Sequence, residues 1–238
     1  MTPKARRDWP ARVALRWDDT HRLILATYAD PDEPFLADLT DAEGGAELAA
    51  LVDLTAATNA RLMAHAGRLP GGPGPYELVF ETPYSKIVNA AFTYPGPAGA
   101  RFHDPHRGAW YAARAVDTSL AEVVFHRQVQ LAETDWWHDT VDYQDYLADI
   151  HADGFADLTD GDTRARKSLA PNSYAAGQAL AATLLADGAS GVIYPSVRDR
   201  TGTCVAVFKP AMVGHVRAGD RYTLTWTGTR TPTVALAA

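Results

Sequence analysis

The stretch RFHDPHRGAWYAARAVDTSLAE, residues 101–122, combines charged, aromatic and turn-forming residues within a short span. Proline and glycine at 105 and 108 predict a loop, because both residues interrupt regular structure. The apolar run 110–113 predicts a short buried strand. Small polar residues at 117–119 favour a helix start, since their side chains accept hydrogen bonds from the unpaired amides of a first turn. The stretch therefore predicts loop, strand and helix in succession.

Glu122 has two interpretations. The spacing Ser119-x-x-Glu122 fits a capping box, in which the glutamate bonds to the backbone amide of the helix cap. Alternatively, the carboxylate is ionised near a helix N-terminus and faces a cleft that contains Arg101 and Tyr111. The face of this helix that is predicted to pack on the sheet comprises Leu120, Val123 and Val124.

Composition limits the class of protein. The 238 residues are 47% hydrophobic and 21% charged, as expected of a globular chain with a sizeable core. A net charge of -7 without a basic run argues against nucleic-acid binding. The single cysteine, Cys204, excludes an intramolecular disulfide and favours a reducing cytoplasm. No export signal or membrane span is expected, because no apolar run is long enough.

The N-terminal part is predicted to be an extension. Alternating residues over 12–28 predict two strands in a hairpin around Asp18-Asp19. The alanine- and leucine-rich segment 46–66 predicts a helix that Gly67 ends. The proline and glycine cluster at 69–75 predicts a linker, which divides the chain into an extension of residues 1–75 and a domain of residues 76–238.

Beyond the linker, strands and helices are mixed, which predicts an α+β fold. Residues 83–92 fit either a strand or a short helix, and residues 153–167 are predicted to form a polar surface loop. A helix capped by Asn172 and ended by Gly188 is predicted over 172–187. The predicted strands cover residues 76–80, 141–150, 191–196, 203–208 and 221–227.

Several residues have the chemistry for cleaving the bond between nicotinamide and ribose. An arginine such as Arg101 binds pyrophosphate, and an aromatic ring such as Tyr111 stacks on the nicotinamide end. A carboxylate such as Glu122 stabilises the positive charge that develops as nicotinamide departs. Ser196 follows an apolar strand and precedes Arg198, so it is either an ordinary turn residue or a donor to ribose or phosphate. On the residues alone, NAD cleavage is one possibility among several.

Two other kinds of site are less well supported. The segment 103–106 has the spacing of a loose histidine pair, but no further ligands complete a metal site, and none is predicted. Ser196 with His103 or His215 has the residue types of a hydrolase, but the Gly-x-Ser-x-Gly elbow is missing.

Taken together, these motifs resemble the RES-domain proteins, which are named for an arginine, a glutamate and a serine. The resemblance rests on Arg101-Phe102, the Gly-x-Trp-Tyr strand at 108–112, the helix start at 119–122, and Gly-x-x-Tyr-Pro-Ser-x-Arg at 191–198. It spans roughly residues 76–227. The resemblance implies a core similar to ADP-ribosyltransferases, with mixed, mostly antiparallel sheets flanked by helices.

The resemblance also implies a function. Such proteins are toxins of bacterial toxin–antitoxin pairs that consume NAD, and Arg101, Tyr111, Glu122 and Ser196 would form the site. Arg101 would hold the pyrophosphate, Tyr111 would stack on nicotinamide, and Ser196 would fix the ribose. The expected partners are NAD, an antitoxin of the Xre helix-turn-helix type, and a protein that accepts ADP-ribose. Alternatives are an enzyme that only depletes NAD, and a non-catalytic binding module in which Arg101 and Glu122 form an ion pair.

Overall fold

The structure is a computed structural model that describes residues 9–29, 60–65 and 67–237. Within these residues, seven strands form one sheet, and five α-helices accompany it. The strands are β1 (Ala11–Leu25), β2 (Trp110–Ala113), β3 (His138–Asp157), β4 (Gly191–Pro195), β5 (Thr203–Val207), β6 (Gly214–Thr227) and β7 (Thr233–Leu236). The helices are α1 (Ala60–His65), α2 (Ser85–Thr93), α3 (Val116–Thr134), α4 (Thr163–Ser168) and α5 (Ala175–Ala186).

The sheet has the strand order β1-β2-β5-β4-β3-β6-β7. Its pairings are antiparallel except for β3 with β4, among the strands that the structure describes. This architecture confirms the predicted α+β class with a mostly antiparallel sheet. No helix in the described part of the chain is long and apolar enough to cross a membrane.

Strand β1 corrects the predicted hairpin over residues 12–28. It is one continuous strand that pairs with β3 from Ala11 to Leu25, and it also touches β2 through the pair His21 and Ala113. The Asp18-Asp19 pair lies in a shift of register rather than a reversal, and Asp19 adopts a positive φ of 53°. A bulge absorbs residues with turn character without ending a strand, which explains the wrong prediction.

The β1 pairing brings residues from before the predicted boundary at 75 into the same sheet as the later strands. The division into residues 1–75 and 76–238 stays a prediction, although the sheet extends across it. Of the helix predicted over 46–66, residues 60–65 are helical and Gly67 has a positive φ of 67°, whereas residues 46–59 and 66 lie outside the described residues.

Successive residues of the central strands point to opposite faces and form two cores. On β4 and β5, Ile193 and Val205 pack in one cluster with Trp110 and Phe92, while Val192 and Ala206 pack in the other. Tyr111 and Cys204 belong to the second cluster, which also includes residues of α5. The candidate site therefore lies on the second face of the sheet.

Several boundaries differ from prediction. Residues 76–80 form no strand, because Val79 bonds through its backbone to the Asn89 side chain, and Pro75–Glu77 is a 3-10 turn. The ambiguous segment 83–92 is helical in α2. Strand β3 continues to Asp157, and α4 follows, so the predicted loop 153–167 is only partly a loop.

Strand β6 begins at Gly214, earlier than the predicted residue 221, because its partner β3 is longer than predicted. Helix α5 begins at Ala175 with Tyr174 at the cap position, instead of the predicted Asn172. Gly188 follows α5 with a positive φ of 75°, as expected of a glycine that ends a helix.

Gly177 on α5 lies against the backbone of Arg101. A Cβ atom at this position would overlap with the carbonyl oxygen of Arg101 and would lie 3.0 Å from the carbonyl oxygen of Ser168. Both obstacles are backbone atoms, which cannot rotate away. The absence of a side chain at Gly177 thus fixes how closely α5 approaches the Arg101 loop.

We expect Gly177→Ala to destabilise the protein by about 2 kcal/mol, as overpacking of a closed contact does. Urea unfolding monitored by circular dichroism measures this change. The neighbouring Ala176→Ser at an exposed position of the same helix is the control and should unfold like the wild type. Equal unfolding midpoints for Gly177→Ala and the wild type would contradict the close contact.

Candidate active site

A cavity of about 220 Å³ lies where β1 and β2 meet α3. It contains Arg101, Tyr111 and Glu122, three of the four residues predicted for the site. The fourth, Ser196, bonds directly to Glu122. The remaining lining residues are Arg22, Leu23, Ala100, Ala112, Ala113, Ser119, Val123, His126, Tyr174, Tyr194 and Cys204.

One face of α3 forms a wall of the cavity. Ser119, Glu122, Val123 and His126 all line it, and their spacing of three and four residues places them on the same side of a helix. Leu120, Val123 and Val124 pack against a hydrophobic cluster around Trp226, as predicted for the sheet-facing side. Helix α3 therefore joins the sheet through apolar side chains while it presents Glu122 to the cavity.

The capping-box interpretation of Glu122 is wrong. The residue at the N-terminal cap of α3 is Ala115, whose side chain makes no capping hydrogen bond. Ser119 lies within the helix, and its hydroxyl donates to the carbonyl oxygen of His21 on β1 at 2.7 Å. The Glu122 carboxylate instead accepts a hydrogen bond from Ser196. Tertiary contacts, rather than the local helix end, engage both side chains.

Ser196 connects the end of β4 to Glu122. Its Oγ donates to Oε1 of Glu122 at 2.7 Å and accepts hydrogen bonds from the backbone amides of Arg198 and Asp199 at 3.1 and 3.0 Å. Because the two amides supply hydrogens to the Ser196 oxygen, the one hydroxyl hydrogen is directed at the carboxylate. The turn after β4 therefore orients Glu122 through Ser196.

Arg101 is held in place by the segment before α5. Its Nη1 donates to the carbonyl oxygen of Ala170 at 2.7 Å, and its guanidinium lies 5.0 Å from the centre of the Tyr174 ring. The residue is only 8% exposed, although it lines the cavity. Neither Glu122 nor another described carboxylate forms an ion pair with Arg101, in contrast to the ion pair of the binding-module hypothesis.

Tyr111 belongs to a chain of hydrogen bonds. Its hydroxyl oxygen accepts from the amide of Phe102 at 2.9 Å and lies 3.1 Å from Nδ1 of His103. His103 Nε2 lies 3.1 Å from the carbonyl oxygen of Pro95, which can only accept. A neutral His103 therefore carries its proton on Nε2 and accepts the Tyr111 hydroxyl proton at Nδ1. Burial raises the pKa of Tyr111, which keeps the phenol neutral.

The pKa values of two histidines near the site are lowered, which favours the neutral form of each imidazole. Burial lowers the pKa of His103, and a smaller contribution from the Pro95 carbonyl opposes the shift. Burial also lowers the pKa of His126, and the nearby Glu122 opposes that shift. Both imidazoles thus prefer to be uncharged in the folded protein, while in the unfolded chain they titrate near 6.5.

These shifts predict a loss of stability in acid. Below pH 6.5, His103 and His126 bind protons more readily in the unfolded chain than in the folded protein. The free energy of unfolding therefore falls as the pH decreases. The His103→Gln variant should therefore lose less stability than the wild type between pH 7.5 and pH 5.5, as measured by urea unfolding. His126 should account for part of the remaining dependence.

The matched control for this measurement is His106→Gln, which removes an exposed imidazole from the same loop. It tests for general effects of replacing a histidine there. An identical pH dependence in His103→Gln and the wild type would show that the environment of His103 does not disfavour its charged form.

The alternative sites gain no support from this geometry. No group of three or more histidine, cysteine or acidic residues has the arrangement of a metal site in the described part of the chain. Ser196 has Glu122 rather than a histidine as its hydrogen-bond acceptor. Cys204 is buried, and burial raises the pKa of its thiol to about 12, so it is not poised as a nucleophile.

Sequence reasoning missed three charged or aromatic residues of the cavity. His126 follows Glu122 by one helical turn, so the helical spacing alone indicates that it faces the same side. Tyr174 lies beside Arg101, and Arg22 lies on β1 with its side chain at the cavity. The position of Arg22 depends on the pairing of β1 with distant strands, for which the sequence contains no local signal.

The part of the chain that contains these site residues matches a known protein family. The family model described as the RES domain matches residues 75–227, which include all four predicted site residues. The chain belongs to the RES domain family. This confirms the resemblance inferred from the motifs at 101–122 and 191–198.

Among solved structures, the RES domain protein is similar to a chain in the crystal structure of the M. tuberculosis MbcT-MbcA toxin-antitoxin complex. The two share 13% sequence identity with a TM-score of 0.45, and the match covers 90% of this chain and 87% of the other. No curated protein sequence matches the chain.

Proposed function

We propose that this RES domain protein binds NAD, cleaves the bond between nicotinamide and ribose, and is the toxin of a toxin–antitoxin pair. The observation that carries the proposal is the Glu122 carboxylate, which is oriented by Ser196 in a cavity that also contains Arg101 and Tyr111. Membership of the RES domain family supports the same activity, because the resemblance implies proteins that consume NAD.

The charges in the cavity suit the reaction. As the bond breaks, nicotinamide leaves with the bonding electron pair, and positive charge develops on the ribosyl carbon. A carboxylate beside this carbon favours the charged transition state over the ground state. The Ser196 hydroxyl donates to Glu122 while its oxygen accepts two backbone amides, so it holds the carboxylate in a fixed orientation. The carboxylate therefore needs little reorganisation when the charge develops.

Arg101 and Tyr111 line the same cavity and would bind other parts of the substrate. The Arg101 guanidinium has one described hydrogen bond, to Ala170, which leaves other N–H groups for phosphate oxygens. Tyr111 is fixed through its hydroxyl, so its ring is the part of the side chain suited to stacking. A cavity of about 220 Å³ is smaller than the 300–1,000 Å³ typical of ligand sites, so it suits part of a dinucleotide.

The fate of the ADP-ribosyl group defines two versions of the function. In the version we favour, a nucleophilic side chain of a cellular protein bonds to the ribosyl carbon and releases a proton. In the other, water or phosphate is the acceptor and the enzyme only depletes NAD. The core similar to ADP-ribosyltransferases that the family resemblance implies favours the first version.

The antitoxin would act on the same cavity. An Xre-type partner, as implied by the family resemblance, would inhibit the enzyme by covering the cavity that contains Arg101 and Glu122. The expected site of action is the cytoplasm, where NAD and cellular target proteins are available.

The nicotinamide assay tests the reaction. The purified protein incubated with NAD should release nicotinamide, and Glu122→Gln should lower kcat at least 100-fold, because an amide supplies no negative charge to the transition state. Glu133→Gln, at an exposed position of α3, should retain wild-type activity. Absence of nicotinamide release by the folded wild type would favour the non-catalytic binding module.

Mass spectrometry of cell extract distinguishes the two acceptors. After incubation with the enzyme and NAD, transfer predicts a protein whose mass has increased by one ADP-ribosyl group, and Glu122→Gln should produce none. Free ADP-ribose or its phosphorylated form, with every protein mass unchanged, would instead assign the enzyme to NAD depletion.

A further inference from the structure

Arg22 is a cavity residue that lies outside the segment matched to the RES domain. It is on β1, next to the His21 and Ala113 pair that joins β1 to β2. The family match begins at residue 75, so the family sequence pattern does not include this arginine. Its side chain nevertheless lines the same cavity as Arg101 and Glu122.

The guanidinium of Arg22 is held by uncharged groups of the described residues. Nη1 donates to the carbonyl oxygen of Tyr111 at 3.1 Å, and the group lies 4.8 Å from the centre of the Trp110 ring. Its Nε is buried and has no hydrogen-bond partner. Among the residues that the structure describes, no carboxylate forms an ion pair with Arg22.

Arg22 is partly buried, and withdrawing a cation from water without a counter-ion is costly, so proteins normally pair such charges. Burial lowers the pKa of Arg22 to about 10, which still leaves it charged at neutral pH. The ring of Trp110 and the Tyr111 carbonyl offset only part of the cost of burial. This charge, which no carboxylate of the described residues matches, therefore points to an anion from outside the described part of the chain.

The cavity as a whole has the charge pattern of a dinucleotide. It contains two guanidiniums, from Arg22 and Arg101, and one carboxylate, from Glu122. NAD carries two adjacent phosphates, each with one negative charge, and one positively charged nicotinamide. Arg22 donates to the backbone of Tyr111, and the Tyr111 side chain lines the cavity together with both arginines.

We propose that Arg22 is a second phosphate-binding residue, so that β1 and the Arg101 loop together bind the pyrophosphate of the substrate. The inference rests on the proposed NAD-cleaving function, and it adds to that function a requirement for residues before the family segment. Two guanidiniums from separate parts of the chain would bind the two phosphates, whereas a single guanidinium would leave one phosphate solvated and without a protein contact.

Equilibrium binding of ADP-ribose and AMP to the full chain tests this role without requiring turnover. Isothermal titration calorimetry should show that Arg22→Met weakens ADP-ribose binding at least tenfold, since a charge-assisted hydrogen bond is lost. AMP retains only the adenosine-side phosphate, so its binding should weaken as well only if Arg22 contacts that phosphate. Arg22→Lys should recover part of the ADP-ribose affinity because it retains the positive charge.

The matched control is Arg114→Met, which removes an exposed arginine that lies 5.5 Å from the Trp17 ring and does not line the cavity. It should bind both ligands like the wild type. Circular dichroism of each variant establishes that the fold is retained. If Arg22→Met kept its fold and weakened neither ligand, Arg22 would be only a structural residue.

Separate outcomes apply to the two proposals. Wild-type binding of ADP-ribose that depends on Arg22, without nicotinamide release from NAD, would overturn the proposed reaction and support the phosphate site. Nicotinamide release with unchanged ADP-ribose affinity in Arg22→Met would support the reaction and overturn the role of Arg22. A wild-type protein that binds neither nucleotide would overturn the phosphate site.

Discussion

The hydrogen bond from Ser196 to Glu122 is the contact on which the site depends. It joins the turn after β4 to the second turn of α3, two segments separated by 74 residues. The same turn is anchored to the start of α3 by Thr118, which donates to Asp199 at 2.6 Å. Because the Ser196 oxygen already accepts two amides, the carboxylate is oriented by backbone geometry and not by a freely rotating side chain.

The predictions that succeeded depend on local patterns. The apolar run at 110–113 and those within 191–196 and 203–208 form strands because they are short and buried on both faces. The predicted lengths of β1 and β3 were wrong. Bulges and pairing partners, rather than residue type, decide where long antiparallel strands continue. A turn-like Asp18-Asp19 inside β1 has no local feature that distinguishes it from a hairpin.

The same distinction applies to the site. Arg101, Tyr111, Glu122 and Ser196 were predicted as a group. The structure places the first three on one cavity and bonds Ser196 to Glu122, while their roles stay predictions. The capping-box alternative failed because Ser119 bonds to β1, a contact between residues 98 positions apart. Arg22 was missed for a related reason: only the pairing of β1 with β2 and β3 brings it to the cavity.

The position of β1 has a consequence for how the protein is made. Its partners in β3 lie more than 100 residues later, and the cavity also needs Cys204 on β5. A nascent chain therefore carries β1 without its β3 partner until β3 has been synthesised. Contacts of such long sequence separation also slow folding. The cavity is therefore completed only after β5 has been synthesised, so a shorter nascent chain lacks part of its wall.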